Sequence, residues 1–444
     1  MNPRLQPTPA TPFLRGVDDS NSQRSPSHRL IAICSAAGFF LGLPAQAGEA
    51  APPFALHDGD RVVFYGDSIT QEGGYARLVE EYARSRFPEW KLHFYNAGVG
   101  GDTVQGGGAG DIGLRLERDV IRLKPTVVTI MLGMNDGRYR PLDLATRTAF
   151  RDGYGALVTR LKAALPEARF YLIRPSSFDD FSRPPDFAPG YDQVLRQLGE
   201  VVAAIGRDQQ AVVVDFGGCV EQGVKRVLPE NRDLARQLLP DRVHPNAAAH
   251  LVLGAVLLRA WHAPSLVARV EIDAKAGVVT KTEKTQVTAL VVGDGSVTWN
   301  QLDQSLPLPL GFSDADTDLA QKAGADLEAL DLQPLILSEL RNAHYELRID
   351  GQPLGTFTAT ELAAGVNLAR YNTPMRWQAY QVRWSAENAH ELQRVTRRAS
   401  AAKSDHPALA EAADILSANE ESEQDLRSRP AIPRLHKFSV QLVP

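Results

Sequence analysis

Cysteine is close to absent from this chain: Cys34 and Cys219 are the two among 444 residues. That excludes a disulfide-stapled scaffold and a cysteine-rich metal site. No basic run interleaved with aromatics occurs and the formal charge is −5, so a nucleic-acid partner is not expected. An integral membrane span is not expected either. The apolar run at residues 30–43 (LIAICSAAGFFLGL) is 14 residues long, against the ~20 that a spanning helix needs. There is no repeat of solenoid period. What is left is an ordinary globular composition, 43% apolar and 23% charged, in a chain long enough for two domains and a targeting segment.

The first 47 residues predict an export signal. Residues 1–29 are polar, rich in Pro and Ser, and carry Arg4, Arg15, Arg24 and Arg29; the apolar run follows, then Pro44 and the small-residue site Ala45-Gln46-Ala47. This order of polar start, apolar middle and Ala-x-Ala end is that of a cleaved secretory leader, which implies a periplasmic or extracellular protein. Cleavage after Ala47 removes four Arg and two Asp, taking the charge to −7, and leaves Cys219 as a lone thiol with no internal partner.

From residue 55 to residue 264 short β-branched runs alternate with stretches of helical period. The runs at 61–65, 91–96, 126–132, 169–173 and 211–215 read as strands. Between them Tyr75, Leu78, Val79 and Tyr82 recur at helical spacing, as do Phe150, Tyr154, Leu157, Val158 and Leu161, and again Val194, Leu198, Val201, Val202 and Ile205. Five such alternations predict an α/β domain: a three-layer α/β/α sandwich around a five-stranded parallel sheet. Residues 265–444 change character and predict an α+β region. Hairpins are expected at Asp294-Gly295 and Asp350-Gly351, a long helix from Pro374 with Ala379, Val382, Ala386, Ala389, Leu392 and Val395 on its apolar face, and a last strand at 437–442.

In a parallel sheet the ligand sits beyond the carboxyl ends of the strands. The residues found there are Gly66-Asp67-Ser68, then Gly98-Val99-Gly100-Gly101-Asp102-Thr103, then Gly133-Met134-Asn135-Asp136, and finally Asp241-Arg242-Val243-His244-Pro245. Acyl transfer needs a hydroxyl, an imidazole to take its proton and a carboxylate to orient the imidazole. Ser68, His244 and Asp241 supply these types, with the last two close enough in a turn to pair. A tetrahedral intermediate also needs donors for its oxyanion. The Ser68 N–H, a glycine N–H from the second segment and the Asn135 amide are the candidates.

These four segments, in this order, resemble the blocks of the SGNH hydrolases, also called the GDSL esterase/lipase family. Gly66-Asp67-Ser68 is similar to the first block, with Ile69 where the older pattern has Leu. The Gly101-Asp102-Thr103 ending of the second segment points to Gly101 as the oxyanion glycine, Gly133-x-Asn135-Asp136 is similar to the third block, and Asp241-x-x-His244 to the last. The resemblance covers roughly residues 58–262. It implies a flavodoxin-like fold, a serine esterase with Ser68, Asp241 and His244 as its triad, an oxyanion hole of Ser68, Gly101 and Asn135, and no metal or other cofactor.

Other readings of these residues are blander. Asp67 is expected to order its turn, and Asp102 and Asp136 to hold loops. The Gly108-x-Gly110-x-x-Gly113 string lies too far past its strand for a dinucleotide fingerprint and reads as a rim of the site. Trp377, Tyr380 and Trp384 form either an aromatic platform for sugar or, as their spacing favours, helix packing. Within the family the expected substrate is a short-chain O-acetyl ester on carbohydrate. The alternatives are a lysophospholipase, a short-chain lipase or thioesterase, or a glycan-binding protein with an inactive site.

Overall fold

The computed structural model describes residues 52–310, 315–401, 415 and 432–443. The predicted export signal, residues 1–47, lies outside them, as does nearly all of the polar segment near residues 400–429.

The order of elements follows the alternation in the sequence. Strand β1 (Arg61–Gly66) leads through α1 (Ser68–Glu72) and α2 (Gly74–Arg86) to β2 (His93–Gly98). A two-rung hairpin, β3 (Gly106–Gly107) and β4 (Gly110–Asp111), precedes α3 (Ile112–Asp119) and β5 (Val127–Met131). Then come α4 (Leu144–Ala164), β6 (Arg169–Arg174), α5 (Tyr191–Asp208), β7 (Val212–Asp215), α6 (Phe216–Val227), α7 (Arg232–Gln237) and α8 (Ala247–Ala260). The main strands pair in the order β2-β1-β5-β6-β7, all parallel. This is the doubly wound order of a flavodoxin-like sheet, with β2 on one edge.

Alternation along each strand assigns side chains to two cores. Val62 and Phe64 of β1 pack with α2, α6 and α8 on one face, while Val63 and Tyr65 pack with α3, α4 and the Leu198, Val202 stripe of α5 on the other. The helical repeats read from the sequence are the buried faces: Tyr75, Leu78, Val79 and Tyr82, then Phe150, Tyr154, Leu157, Val158 and Leu161, are all solvent-shielded.

The C-terminal region is built mainly from antiparallel strand pairs, with one parallel pairing, of β8 with β12. Its strands are β8 (Arg269–Asp273), β9 (Val278–Glu283), β10 (Thr285–Gly293), β11 (Ser296–Asp303), β12 (Pro334–Ser338), β13 (His344–Ile349), β14 (Gln352–Thr358), β15 (Val366–Asn367) and β16 (His436–Leu442); its helices are α9 (Ala315–Lys322), α10 (Ala359–Ala364) and α11 (Pro374–Ala401). Sheets of order β10-β11-β16-β13-β14 and β15-β12-β8-β9 close on one apolar core with Met375, Ala379 and Val382 of α11. Asp350 and Gly351 both have positive φ, 50° and 79°, as a tight hairpin turn with native twist requires. No helix among the described residues is long and apolar enough to cross a membrane.

This region packs on the α/β sandwich. Leu308, Leu319, Ala320, Ala323 and Leu327 join the core beneath α6 and α8. The buried Arg86 guanidinium donates to the Leu306 carbonyl (3.1 Å), the Leu330 carbonyl (2.8 Å) and Asp331 (3.1 Å). Helix α11 lies along α2 and the free edge of the sheet. There the Gln393 amide donates to the Phe94 carbonyl at 2.8 Å and accepts from the Asn96 N–H at 3.2 Å. One side chain thus satisfies the donor and acceptor that an added strand would have satisfied on β2. His390 meets the buried Glu80 at 3.1 Å, with Arg84 on the same carboxylate at 2.8 Å.

The face of α11 differs from the expected one in two respects. Gln393 and Thr396 are buried where Leu392 and Val395 were expected, because these polar groups have backbone partners that the apolar period does not register. Trp377 and Trp384, expected to pack within the helix interface, are 64% and 68% exposed, since their side of α11 faces away from α2 and the second core. Tyr380, between them, donates its hydroxyl to the Leu310 carbonyl at 3.0 Å.

Candidate active site

Strand β1 hands over to α1 at Gly66. A Cβ there would stand 2.2 Å from Thr70 Oγ1 and 2.7 Å from the Met131 carbonyl, so only glycine lets the helix fold back this tightly on β1 and β5. Asp67 is the N-cap, its carboxylate accepting from the Ile69 N–H at 3.1 Å, the turn-ordering part expected of it. Ser68 is therefore the first residue of a helix held on a buried turn.

The last block reaches the same point from α8. Asp241 Oδ1 accepts from the N–H groups of Val243 (3.0 Å) and His244 (2.8 Å), and its Oδ2 lies 2.6 Å from His244 Nδ1. A carboxylate only accepts, so Nδ1 carries the proton and Nε2 keeps its lone pair. Nε2 stands 2.9 Å from Ser68 Oγ, where the hydroxyl donates to it. Partial burial works against the Asp241 charge, but the bonds from His244 and Val243 outweigh it and hold the carboxyl below its ordinary value. Asn246 caps α8 through Ala249 N–H at 2.9 Å, fixing the loop to a helix start.

Helix α8 also grips the other end of α1. His250, buried in α8, accepts from the Tyr75 N–H through Nδ1 (3.3 Å) and faces the Glu72 carboxylate through Nε2 (3.3 Å). Burial outweighs the pull of Glu72 and lowers the His250 pKa, which favours the neutral ring whose Nδ1 accepts.

The second block crosses over α1. Of its glycines, Gly98 donates to Asn96 Oδ1 (2.9 Å) and Gly100 to Gln71 Oε1 (2.7 Å). Gly101 has φ 78° and open space where a Cβ would be. Asn96 Nδ2 donates to the Thr70 carbonyl at 2.6 Å, so this one side chain ties the helix of Ser68 to the glycine loop. Asn135 Nδ2 donates to the Asp102 carbonyl at 3.0 Å, and Asp136 Oδ1 accepts from Val104 N–H at 3.0 Å. The third block therefore buttresses the second. Asp102 itself is fully buried against Arg115 at 2.7 Å, and Arg115 reaches on to the Ala97 carbonyl at 2.8 Å. Both acids thus hold loops, as expected. The Gly108–Gly113 string forms the turn of the β3-β4 hairpin, β4 and the start of α3, whose first turn is capped by the Asp111 carboxylate at 3.0 Å.

Some of this frame has no signal in the sequence. Tyr139 stands four residues after Asn135 with its hydroxyl 3.4 Å from Asn135 Oδ1. Gln71, Asn96 and Gln393 also serve the site without belonging to a motif; their partners are known only once the chain has folded.

Buried carboxylates give this site a pH-dependent stability. Burial, seconded by the Asp136 and Asp102 charges, pushes the Asp67 carboxyl up to about 7 against the pull of Ile69 N–H and His244. Below about pH 4 both folded and unfolded chains hold this proton. Between about 4 and 7 the native state keeps it while the unfolded state releases it, so stability falls as pH rises. Asp67→Asn keeps the acceptor for Ile69 and removes this loss. Relative to wild type, its unfolding free energy should gain about 4 kcal/mol between pH 4 and 7 and then level off. Urea unfolding across that range measures the difference; a flat difference refutes the assignment.

The family model described as "GDSL-like Lipase/Acylhydrolase family" matches residues 64–252. A curated acetylxylan esterase from Geobacillus stearothermophilus is 29% identical over 227 residues, 46% of this chain and 94% of that protein. Among solved structures, a gut microbial diltiazem-metabolizing enzyme shares the fold at TM-score 0.76 and 23% identity, over 87% of this chain and 98% of its own. A solved acetylxylan esterase from G. stearothermophilus aligns at TM-score 0.39 and 26% identity, over 47% of this chain and 96% of its own.

Proposed function

Since residues 64–252 belong to the GDSL-like lipase/acylhydrolase (SGNH) family of carboxylic ester hydrolases, we propose that this protein is an exported serine esterase that removes short-chain O-acetyl groups from carbohydrate. The observation that carries the mechanism is the chain of contacts from Asp241 through His244 to Ser68, 2.6 and 2.9 Å long.

In this reading His244 Nε2 takes the Ser68 proton as Oγ attacks the ester carbonyl, and Asp241 stabilises the imidazolium that forms. The oxyanion lies between the N–H groups of Ser68 and Gly101 and the second Nδ2 hydrogen of Asn135, the first being spent on Asp102. His244 then protonates the departing alcohol, and water, activated by the same imidazole, releases the acyl group from Ser68. Apart from that water, every group this route uses is a side chain or N–H group of the chain itself.

Two observations support the acetyl-carbohydrate substrate. The similarity to an acetylxylan esterase covers nearly all of that protein, and His244 and Asp241 stand partly open to solvent, so a bulky polar alcohol can approach without entering a tunnel. Export rests on the leader-like first 47 residues.

The substrate test is a chain-length series. On p-nitrophenyl acetate, butyrate and decanoate, kcat/KM should fall at each step, by about 10-fold or more from acetate to butyrate, because each misfitted methylene costs about 1–3 kcal/mol. Acetate should be released from acetylated xylan. Rates that climb with chain length would instead support the lysophospholipase or lipase reading.

A further inference from the structure

We propose that Tyr139 is a second working residue of this site: its hydroxyl orients the Asn135 amide, and its open ring face receives a sugar ring of the alcohol part of the substrate. The inference rests on the esterase reading above and adds a specificity element to it.

The first observation is backbone strain. Arg138 and Tyr139 are consecutive non-glycine residues with φ of 56° and 53°. Each such residue is held in a region that side chains disfavour, and strain of this kind persists where surrounding contacts enforce it and clusters at functional sites. The enforcing contacts here are aromatic. The Tyr139 ring stacks on Tyr191 at 4.7 Å and 27°, with Phe178 edge-on at 6.1 Å. Tyr191 is itself buried, donates its hydroxyl to the Met134 carbonyl, and lies so near the turn that a Cβ on Gly137 would be 2.5 Å from its oxygen. The chain is bent out of its preferred region to lay one ring on another.

The second observation is where this places the hydroxyl. It lies 3.4 Å from Asn135 Oδ1, the acceptor end of the amide whose donor end is committed to Asp102. With Oδ1 facing a donor and one Nδ2 hydrogen given to the Asp102 carbonyl, the amide plane is fixed and its second hydrogen with it; Asp102 belongs to the loop whose Gly100, given a Cβ, would stand 3.9 Å from Ser68 Cβ. Burial, seconded by the Asp67 and Asp241 charges, raises the Tyr139 hydroxyl above its ordinary value, which keeps it a donor.

The third observation is exposure. Tyr191 covers one face of the ring, yet Tyr139 remains 46% exposed. An aromatic ring backed by Tyr191 on one face and open on the other, with its hydroxyl at Asn135, matches a pyranose. The C–H face of the sugar lies against the ring while its hydroxyls reach the rim.

Tyr139→Phe and Tyr139→Gly separate the two parts. Phenylalanine keeps the stack and loses the hydroxyl; glycine adopts φ near 53° without strain and loses both. Vinyl acetate, which has no ring to stack, and an O-acetylated xylo-oligosaccharide are the substrates. Tyr139→Phe should lower kcat on both by about 3–10-fold, the loss expected for one positioning hydrogen bond, with KM for the oligosaccharide unchanged. Tyr139→Gly should show the same kcat loss and, in addition, raise the oligosaccharide KM by about 10-fold, as for a lost aromatic contact of about 1.4 kcal/mol, while KM for vinyl acetate stays level. Unchanged kcat in Tyr139→Phe overturns the orienting part. An unchanged oligosaccharide KM in Tyr139→Gly overturns the stacking part. A wild type that hydrolyses vinyl acetate but releases nothing from the oligosaccharide overturns the carbohydrate reading itself, and the ring's part with it.

Discussion

Ser68→Ala should lower kcat for ester hydrolysis by about 10⁴–10⁶-fold, because a triad acts as a unit and little survives without its nucleophile. The variant should also lose labelling by a fluorophosphonate that modifies the wild type. Its fold should be kept, since Ser68 Oγ bonds to His244 while the turn is fixed by Asp67 and Gly66. Asp241→Asn is the informative companion. It preserves the shape of the turn but no longer fixes the ring with its proton on Nδ1, and should cost about 10³–10⁴-fold in kcat. Activity that survives in Ser68→Ala, or a label that moves to another residue, would refute the serine mechanism.

The second large effect is expected from removing the C-terminal region. A chain of residues 52–264 loses Leu308, Leu319, Ala320, Ala323 and Leu327 from its core and the three partners of Arg86. It also uncovers β2 along an edge that Gln393 now occupies. Exposed sheet edges pair with other chains, so the truncated protein should be recovered mainly as aggregate, and its soluble fraction should have lost most activity. The finer version is Gln393→Leu, which removes both hydrogen bonds that Gln393 makes to the edge strand, to the Asn96 N–H and the Phe94 carbonyl. At about 1–3 kcal/mol for each hydrogen bond lost from a buried group, it should destabilise the whole chain by several kcal/mol. Thermal unfolding of the variant measures this. A soluble, fully active 52–264 fragment would show that the second region is dispensable.

The α/β half was legible because its signals are local. Asp67 caps within two residues of itself, Asp241 and His244 pair within one turn, and each block follows a strand whose β-branched run announces it. Both predicted hairpins, at Asp294-Gly295 and Asp350-Gly351, were legible for the same reason: positive φ is written into the residue type. What was illegible is polar and distant. Gln393 meets Phe94 and Asn96 across nearly 300 positions, and a glutamine on a helix reads as solvent-facing until its partner is known. Arg115 and Arg376, charged yet fully buried, would be placed outside by any hydropathy pattern. Tyr139 carries no signal in the sequence because its left-handed backbone is enforced by Tyr191 and Phe178, with no glycine at that position to mark it.

His244, just before α8, and His250, inside it, have a mechanical consequence. His244 precedes that helix and meets Ser68 at the start of α1; His250, inside it, meets Glu72 at the end of α1. Helix α1 is thus tied at both ends, at its start to the residue that leads into α8 and at its end to α8 itself. The orientation of α1 against α8 therefore rests on a second, buried contact six residues along the chain from His244, and does not hang on the Ser68–His244 contact alone.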